Sequence, residues 1–108
     1  MSVGQQPTGK NIYSAYTVGT IVTLGRECLG NAAGTKGVVY EHYSIGNETC
    51  GCSIIFPNGN YDGFSERCLE LFEVNPVGKS ELLSNYIFEN VSTLDRDFKR
   101  GLFGRYFK

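Results

Sequence analysis

Gly34-Thr35-Lys36-Gly37-Val38-Val39-Tyr40 is the stretch that decides how the chain reads. Two glycines three positions apart lead into a β-branched, aromatic run. Glycine reaches the φ > 0 conformations of a tight turn, and Val and Tyr fit a pleated surface. The stretch predicts a turn feeding a strand, and its neighbours on both sides can be laid out as further strands.

Upstream, Val18-Gly19-Thr20-Ile21-Val22-Thr23-Leu24 alternates like a first strand. A loop over residues 26–35 is punctuated by Gly30, Asn31 and Gly34. The second strand covers 36–43, and a turn over 44–49 leads to a third at 52–56. Pro57-Asn58-Gly59-Asn60 is a hairpin loop, because Asn-Gly supplies positive-φ positions between paired strands. A fourth strand at 61–64, a single helical turn at Ser65-Glu66-Arg67 and a fifth strand at 68–74 complete the β-region. The inward face of that last strand is ambiguous, since Leu69 and Leu71 alternate with Cys68, Glu70 and Phe72. Asn75-Pro76-Val77-Gly78 reads as its end. Residues 1–17 lack periodicity and predict a flexible arm, from which Tyr13 and Tyr16 dock on the body.

The period then changes. Leu83, Ile87, Val91, Leu94, Phe98 and Leu102 mark one face of one or two helices within 79–108. Ser80 suits the first cap and Ser92 a second. Such a face covers an open side or edge of the sheet, or it packs on a second copy as a homodimer.

At 108 residues the chain is one domain's length. Hydrophobic residues make up 41%, enough for a core, and 14 glycines suit many turns. The net charge of −1 argues against a generic nucleic-acid binder. Residues 96–108 nonetheless hold five cations against Asp97, a net of +4, so residues 1–95 sum to −5. No apolar run spans a membrane, and no leader is visible, so a cytoplasmic protein with reduced thiols is expected. The sequons at Asn47 and Asn90 then carry no glycan.

The Gly19/Val22 opening, the glycine-containing loop, Gly34-x-x-Gly37-x-Val39, the Asn58-Gly59 hairpin and the 65–67 turn together resemble SH3-like barrels of the KOW and tudor-like kind. The likeness covers about residues 18–74. It implies a mainly β fold, a small five-stranded SH3-like barrel followed by a helical C-terminal extension. Such barrels occur in ribosomal and transcription proteins, chromatin readers and small phage or mobile-element proteins. The resemblance implies a bacterial or phage binding module with no cofactor, and leaves the ligand open. KOW-type binders bring basic loops, whereas this barrel region is acidic.

The tudor-type use of aromatics points to Tyr40, Tyr43, Tyr61 and Phe64, with Asp62, as ligand contacts. Aromatic faces attract cations, and acidic neighbours such as Glu41 and Glu66 reinforce them. Against this stands a purely structural role, core for Phe56 and Phe64 and barrel edge for the tyrosines. Arg96, Lys99, Arg100, Arg105, Tyr106 and Lys108 form a basic aromatic tail. It can meet phosphates and bases, dock on an acidic protein partner, or dock by charge on its own acidic body. His42 sits between Glu41 and Tyr43 without a catalytic motif, and reads as a solvent-facing strand residue. Cys28, Cys50, Cys52 and Cys68 have one close pair, Cys50-x-Cys52, and read as reduced cysteines, with a zinc site or a disulfide as the less favoured uses. No catalytic and no metal residue is assigned. The expected function is a non-enzymatic adaptor that recognises a protein partner. Nucleic-acid binding through 96–108 is the first alternative and a cysteine-based metal protein the second.

Overall fold

The computed structural model describes residues 16–45 and 49–108, and side chains throughout these except at 44, 45, 49 and 50. The arm up to residue 15, with Tyr13, and the turn residues Gly46 to Glu48, with the Asn47 sequon, lie outside the described residues.

Among the described residues five strands form one antiparallel sheet: β1 (Thr20–Thr23), β2 (Lys36–Ile45), β3 (Thr49–Ile55), β4 (Tyr61–Ser65) and β5 (Asn75–Lys79). Their order is β4-β3-β2-β1-β5. Among the described residues the outer strands β4 and β5 are not paired with each other, so the sheet is not closed into a barrel. In the stretch that opened the reading, Gly34 turns the chain with φ +92°. Gly37 has another role. It pairs with Val22, and a Cβ there would stand 2.7 Å from the Phe56 ring.

The fifth strand is a correction. Residues 68–74 do not form it. Ser65 Oγ accepts a hydrogen bond from Cys68 N at 3.3 Å, and Glu66 follows in the first turn. These signals start helix α1 (Glu66–Leu71). Helical spacing also resolves the ambiguous faces. Cys68, Leu69 and Phe72 turn to the core together, and Leu71 is left 56% exposed. The helix ends with Val74 N donating to Leu69 O and Glu73 N to Glu70 O, while Glu73 takes φ +50° in the place glycine usually fills. The chain then pairs as β5 along β1. Pro76 is tolerated because β5 is an edge, and a bulge opposite Ile21 and Val22 leaves Val77 unpaired.

Both faces of the sheet are buried. On one, Val22, Val39, Cys52, Ile54, Phe56 and Phe64 pack with Tyr16, Leu69 and Val74. Tyr16 is 6% exposed and its hydroxyl donates to Val74 O at 2.9 Å. On the other, Val38, Tyr40 and Ile55 meet Leu83, Leu94 and Phe103. Residues 80–108 thus fold back onto their own sheet as a 3-10 turn (Leu83–Asn85), helix α2 (Val91–Lys99) and a last 3-10 turn (Gly104–Phe107). Ser80 Oγ accepts from Leu83 N, as its position implied. The α2 cap is Asn90, whose Oδ1 accepts from Thr93 N at 2.8 Å, and not Ser92. Because Tyr86 is extended, the apolar period breaks. Leu83 and Leu94 are buried, but Ile87 and Val91 are 76% and 47% exposed.

One loop contact was not foreseen. Leu29 (φ +52°) and Gly30 (φ +81°) close a two-residue turn between Cys28 and Asn31. The Leu29 carbonyl accepts from the side-chain amides of Asn31, Asn58 and Asn60 at 3.2, 2.9 and 2.7 Å. The hairpin loop is thereby tied to the 26–35 loop.

Phe103 is fully enclosed. Phe103→Ala should cost about 3–5 kcal/mol in urea unfolding. A loss below about 1 kcal/mol would show that the C-terminal segment does not complete the core.

Candidate functional site

The site is built on the far ends of β2, β3 and β4. Register pairs Glu41 with Ser53, Tyr43 with Gly51, Ser53 with Gly63 and Ile55 with Tyr61. Cys52 and Ile54 belong to the α1 side, so Gly51, Ser53 and Ile55 face the other way. A bulge between Val39 and Glu41 inserts Tyr40 and puts Tyr40 and Glu41 on that same face. Tyr43 follows two residues later. Its ring lies across the backbone of two strands. A Cβ on Gly51 would be 2.7 Å from its Cε2, and one on Gly63 2.9 Å from its hydroxyl. Only side-chain-free positions on β3 and β4 admit that seating.

The five expected ligand contacts therefore divide. Tyr40, Tyr43 and Tyr61 share one face. Tyr40 is 3% exposed and packs against Phe88 at 5.0 Å and edge-on to Tyr61 at 6.4 Å. Tyr61 is 37% exposed and Tyr43 half-buried. Asp62 and Phe64 fall on the opposite face by register. Phe64 is 2% exposed between Phe56 and Phe72, each ring centroid 6.2 Å away. Asp62 is at the surface, its Oδ1 accepting from Gly63 N at 2.8 Å. Glu41 Oε1 accepts from Ser53 Oγ at 3.0 Å. Among the described residues neither carboxylate has an ion-pair partner.

Burial and neighbouring carboxylates both act on the tyrosine hydroxyls of the strip. Burial chiefly pushes the Tyr40 hydroxyl up to about 12, with Glu41, Tyr61 and Asp62 adding to the rise and a Ser53 hydrogen bond opposing it. Tyr43 is raised as well, first by burial and then by Cys52, Glu41, Asp62 and Cys68. Burial, the larger cause, disfavours charge of either sign, and only the smaller carboxylate contributions favour a cation.

The tail is arranged differently from the charge-led docking that its composition suggested. Its contacts with the sheet are mainly apolar, with Phe98, Leu102, Tyr106 and Phe107 packed around Phe103 and Leu94. The cations stay outside. Lys99 pairs with Asp95 at 2.9 Å and Arg96 with Asp97 at 3.7 Å, both within α2. Arg105 lies 5.6 Å from the Tyr106 ring centre. Lys36 Nζ donates to the main-chain oxygen of Lys108 at 3.0 Å. Arg100 has no ion-pair partner among the described residues.

His42 is exposed, its Nδ1 3.2 Å from Tyr16 O. Cys28, Cys52 and Cys68 are free thiols on a turn, a strand and a helix. The Cys50 side chain lies outside the described residues. Burial raises the Cys28 thiol, helped by Asp62 and Cys68, and pushes Cys52 up to about 12. Thiols held protonated are poor nucleophiles. A groove of about 520 Å³ beside α1 is lined by Tyr16, Leu69, Val74, Glu66, Glu70 and Glu73, with Glu73 held by Arg26 at 2.8 Å. It escaped the sequence reading because α1 was read as a strand. Among the described residues no three His, Cys, Asp or Glu side chains converge as a metal site. No helix among them is long and apolar enough to cross a membrane.

Comparison of the chain with protein-family models, with curated proteins and with solved structures finds no match.

Tyr40 and Cys52 ionise ordinarily at 10.0 and 9.0 and are both raised to about 12 in the fold. Their protonated forms stabilise the native state fully below pH 9, and this contribution is lost as pH rises through 12. Urea midpoints should fall over that window, and Tyr40→Phe should flatten part of the fall. A profile unchanged by Tyr40→Phe would contradict the burial of its hydroxyl.

Proposed function

We propose that the protein is a non-enzymatic binding module, an SH3-like barrel left partly open, which recognises a cationic side chain of a protein partner in the cytoplasm. The observation that carries this reading is the strip of Tyr43 and Tyr61 beside Glu41, which, like Asp62 on the other face of β4, has no ion-pair partner among the described residues. Aromatic faces with nearby negative charge attract Lys or Arg. The SH3-like reading is supported by strand order: four strands in a meander, a short helix, then a last strand returning to the first. Three free thiols fit a reducing compartment.

The test is a titration of isotope-labelled full chain with capped Gly-Lys-Gly and Gly-Arg-Gly, and Gly-Glu-Gly as control. Saturable amide shifts at Glu41, Tyr43, Gly51 and Gly63 with the cationic peptides are expected. Tyr43→Ala and Glu41→Gln should each weaken binding about two- to fivefold, the scale of one exposed cation–π or ion contact. Shifts confined to 96–108, or none, would sink the reading.

A second reading, nucleic-acid binding by 96–108, draws on the outward cations Arg100 and Arg105. The tail aromatics that could stack on bases are turned into the sheet contact, which weakens it. Truncation cannot test it, because Phe103 is core. Arg100→Gln with Arg105→Gln should instead lower the slope of log affinity against log salt by about 2 on a duplex oligonucleotide. Binding with an unchanged slope, or no binding at low salt, removes the idea.

A further inference from the structure

We propose that the outer edge of β4 takes up an extended, lysine- or arginine-bearing segment of the partner as a sixth strand, with Asp62 as the gate. This rests on the cation-binding reading above and names the conformation in which the partner binds. The parity of the ladder sets the geometry. At the hairpin, Phe56 N donates to Asn60 O at 2.9 Å. Bonded and non-bonded pairs alternate along antiparallel strands. Asp62 opposite Ile54 and Phe64 opposite Cys52 are then the bonded pairs, and Tyr61 and Gly63 turn their main-chain groups away from β3. Among the described residues β4 is the last strand on that side of the sheet. The outward Gly63 N–H is met by the side chain of its own neighbour, Asp62 Oδ1, at 2.8 Å.

The two edges of the sheet are closed in different ways. β5 carries Pro76 and a bulge, which a pairing strand cannot undo. β4 is closed by a surface carboxylate that can rotate away. An incoming strand whose carbonyl takes Gly63 N–H releases that carboxylate, which then needs a cation. Lys or Arg on the strand supplies one. Alternate residues of the same strand run beside Tyr61 and the Tyr43 hydroxyl at Gly63, where no side chain stands in the way. Main-chain bonds give affinity and the flanking groups select the side chains, the logic of strand addition. Charge complementarity favours a cationic peptide over a second β4, which would bring its own Asp62.

The probe is capped Val-Lys-Val-Lys-Val with two analogues, one N-methylated at the valines and one at the lysines. Each is titrated into isotope-labelled full chain. The parent peptide should bind, shift the Gly63 amide, slow its exchange and show Hα–Hα contacts to β4. One analogue should lose binding and the other keep it, since only one alternation of N–H groups faces the edge. Asp62→Asn retains an acceptor for Gly63 N–H but no charge, and should weaken the parent peptide about two- to fivefold. Equal binding of all three peptides with shifts at Glu41 and Tyr43 overturns strand addition and leaves cation recognition standing. No binding by any of them overturns both. Concentration-dependent shifts at Gly63 without peptide assign the edge to a second copy and also overturn the proposal.

Discussion

The contact of Leu83, Leu94 and Phe103 with Val38, Tyr40 and Ile55 is the one on which the rest of the molecule depends. A five-strand sheet of this size buries too little apolar surface on one face to be comfortably stable. Here the second face is buried as well, by the chain's own C-terminal segment. That constraint explains the side chains of β2. Val39 serves one core while Val38 and Tyr40 serve the other, so the strand reads as a continuous apolar run in place of a strict alternation.

The same contact decides which parts of the outer sheet face stay open. Tyr40 and Phe88 close the near end of the outer face, and the tail aromatics are spent on the core. What remains open is the far end of β2 to β4, where Gly51 and Gly63 let the Tyr43 ring lie on the backbone. Among the described residues Glu41 stands there without an ion-pair partner, as does Asp62 on the other face of β4, while the tail's cations are displayed elsewhere, outside the apolar contact. The charge separation in the sequence therefore survives in the fold as separate surfaces and is not consumed by mutual docking.

The strands around Gly34 to Tyr40, the Asn58-Gly59 hairpin, the helical turn after Ser65 and the Ser80 cap were legible because each rests on local chemistry: turn conformations, side-chain period and capping. The fifth strand was not. Residues 68–74 carry an apolar pattern compatible with period 2 or 3.6, and a cap at Ser65 with a core partner for Leu69 decided between them. β5 was hidden because Pro76 reads as a stop unless the strand is known to lie at an edge. In the site, the aromatic types were visible but their sides were not. The bulge at Tyr40 shifts the face of every later residue on β2, and Phe64 falls into the core while Tyr43 does not.

By itself the sequence determined a β-rich chain with a helical end, an acidic body and a basic, aromatic tail, since these follow from residue types and local spacing. The tertiary structure decided which sheet face the tail covers, that it binds there by apolar contact, and which tyrosines remain open. Those outcomes depend on register, bulges and the pairing of residues dozens of positions apart, and no local pattern encodes them.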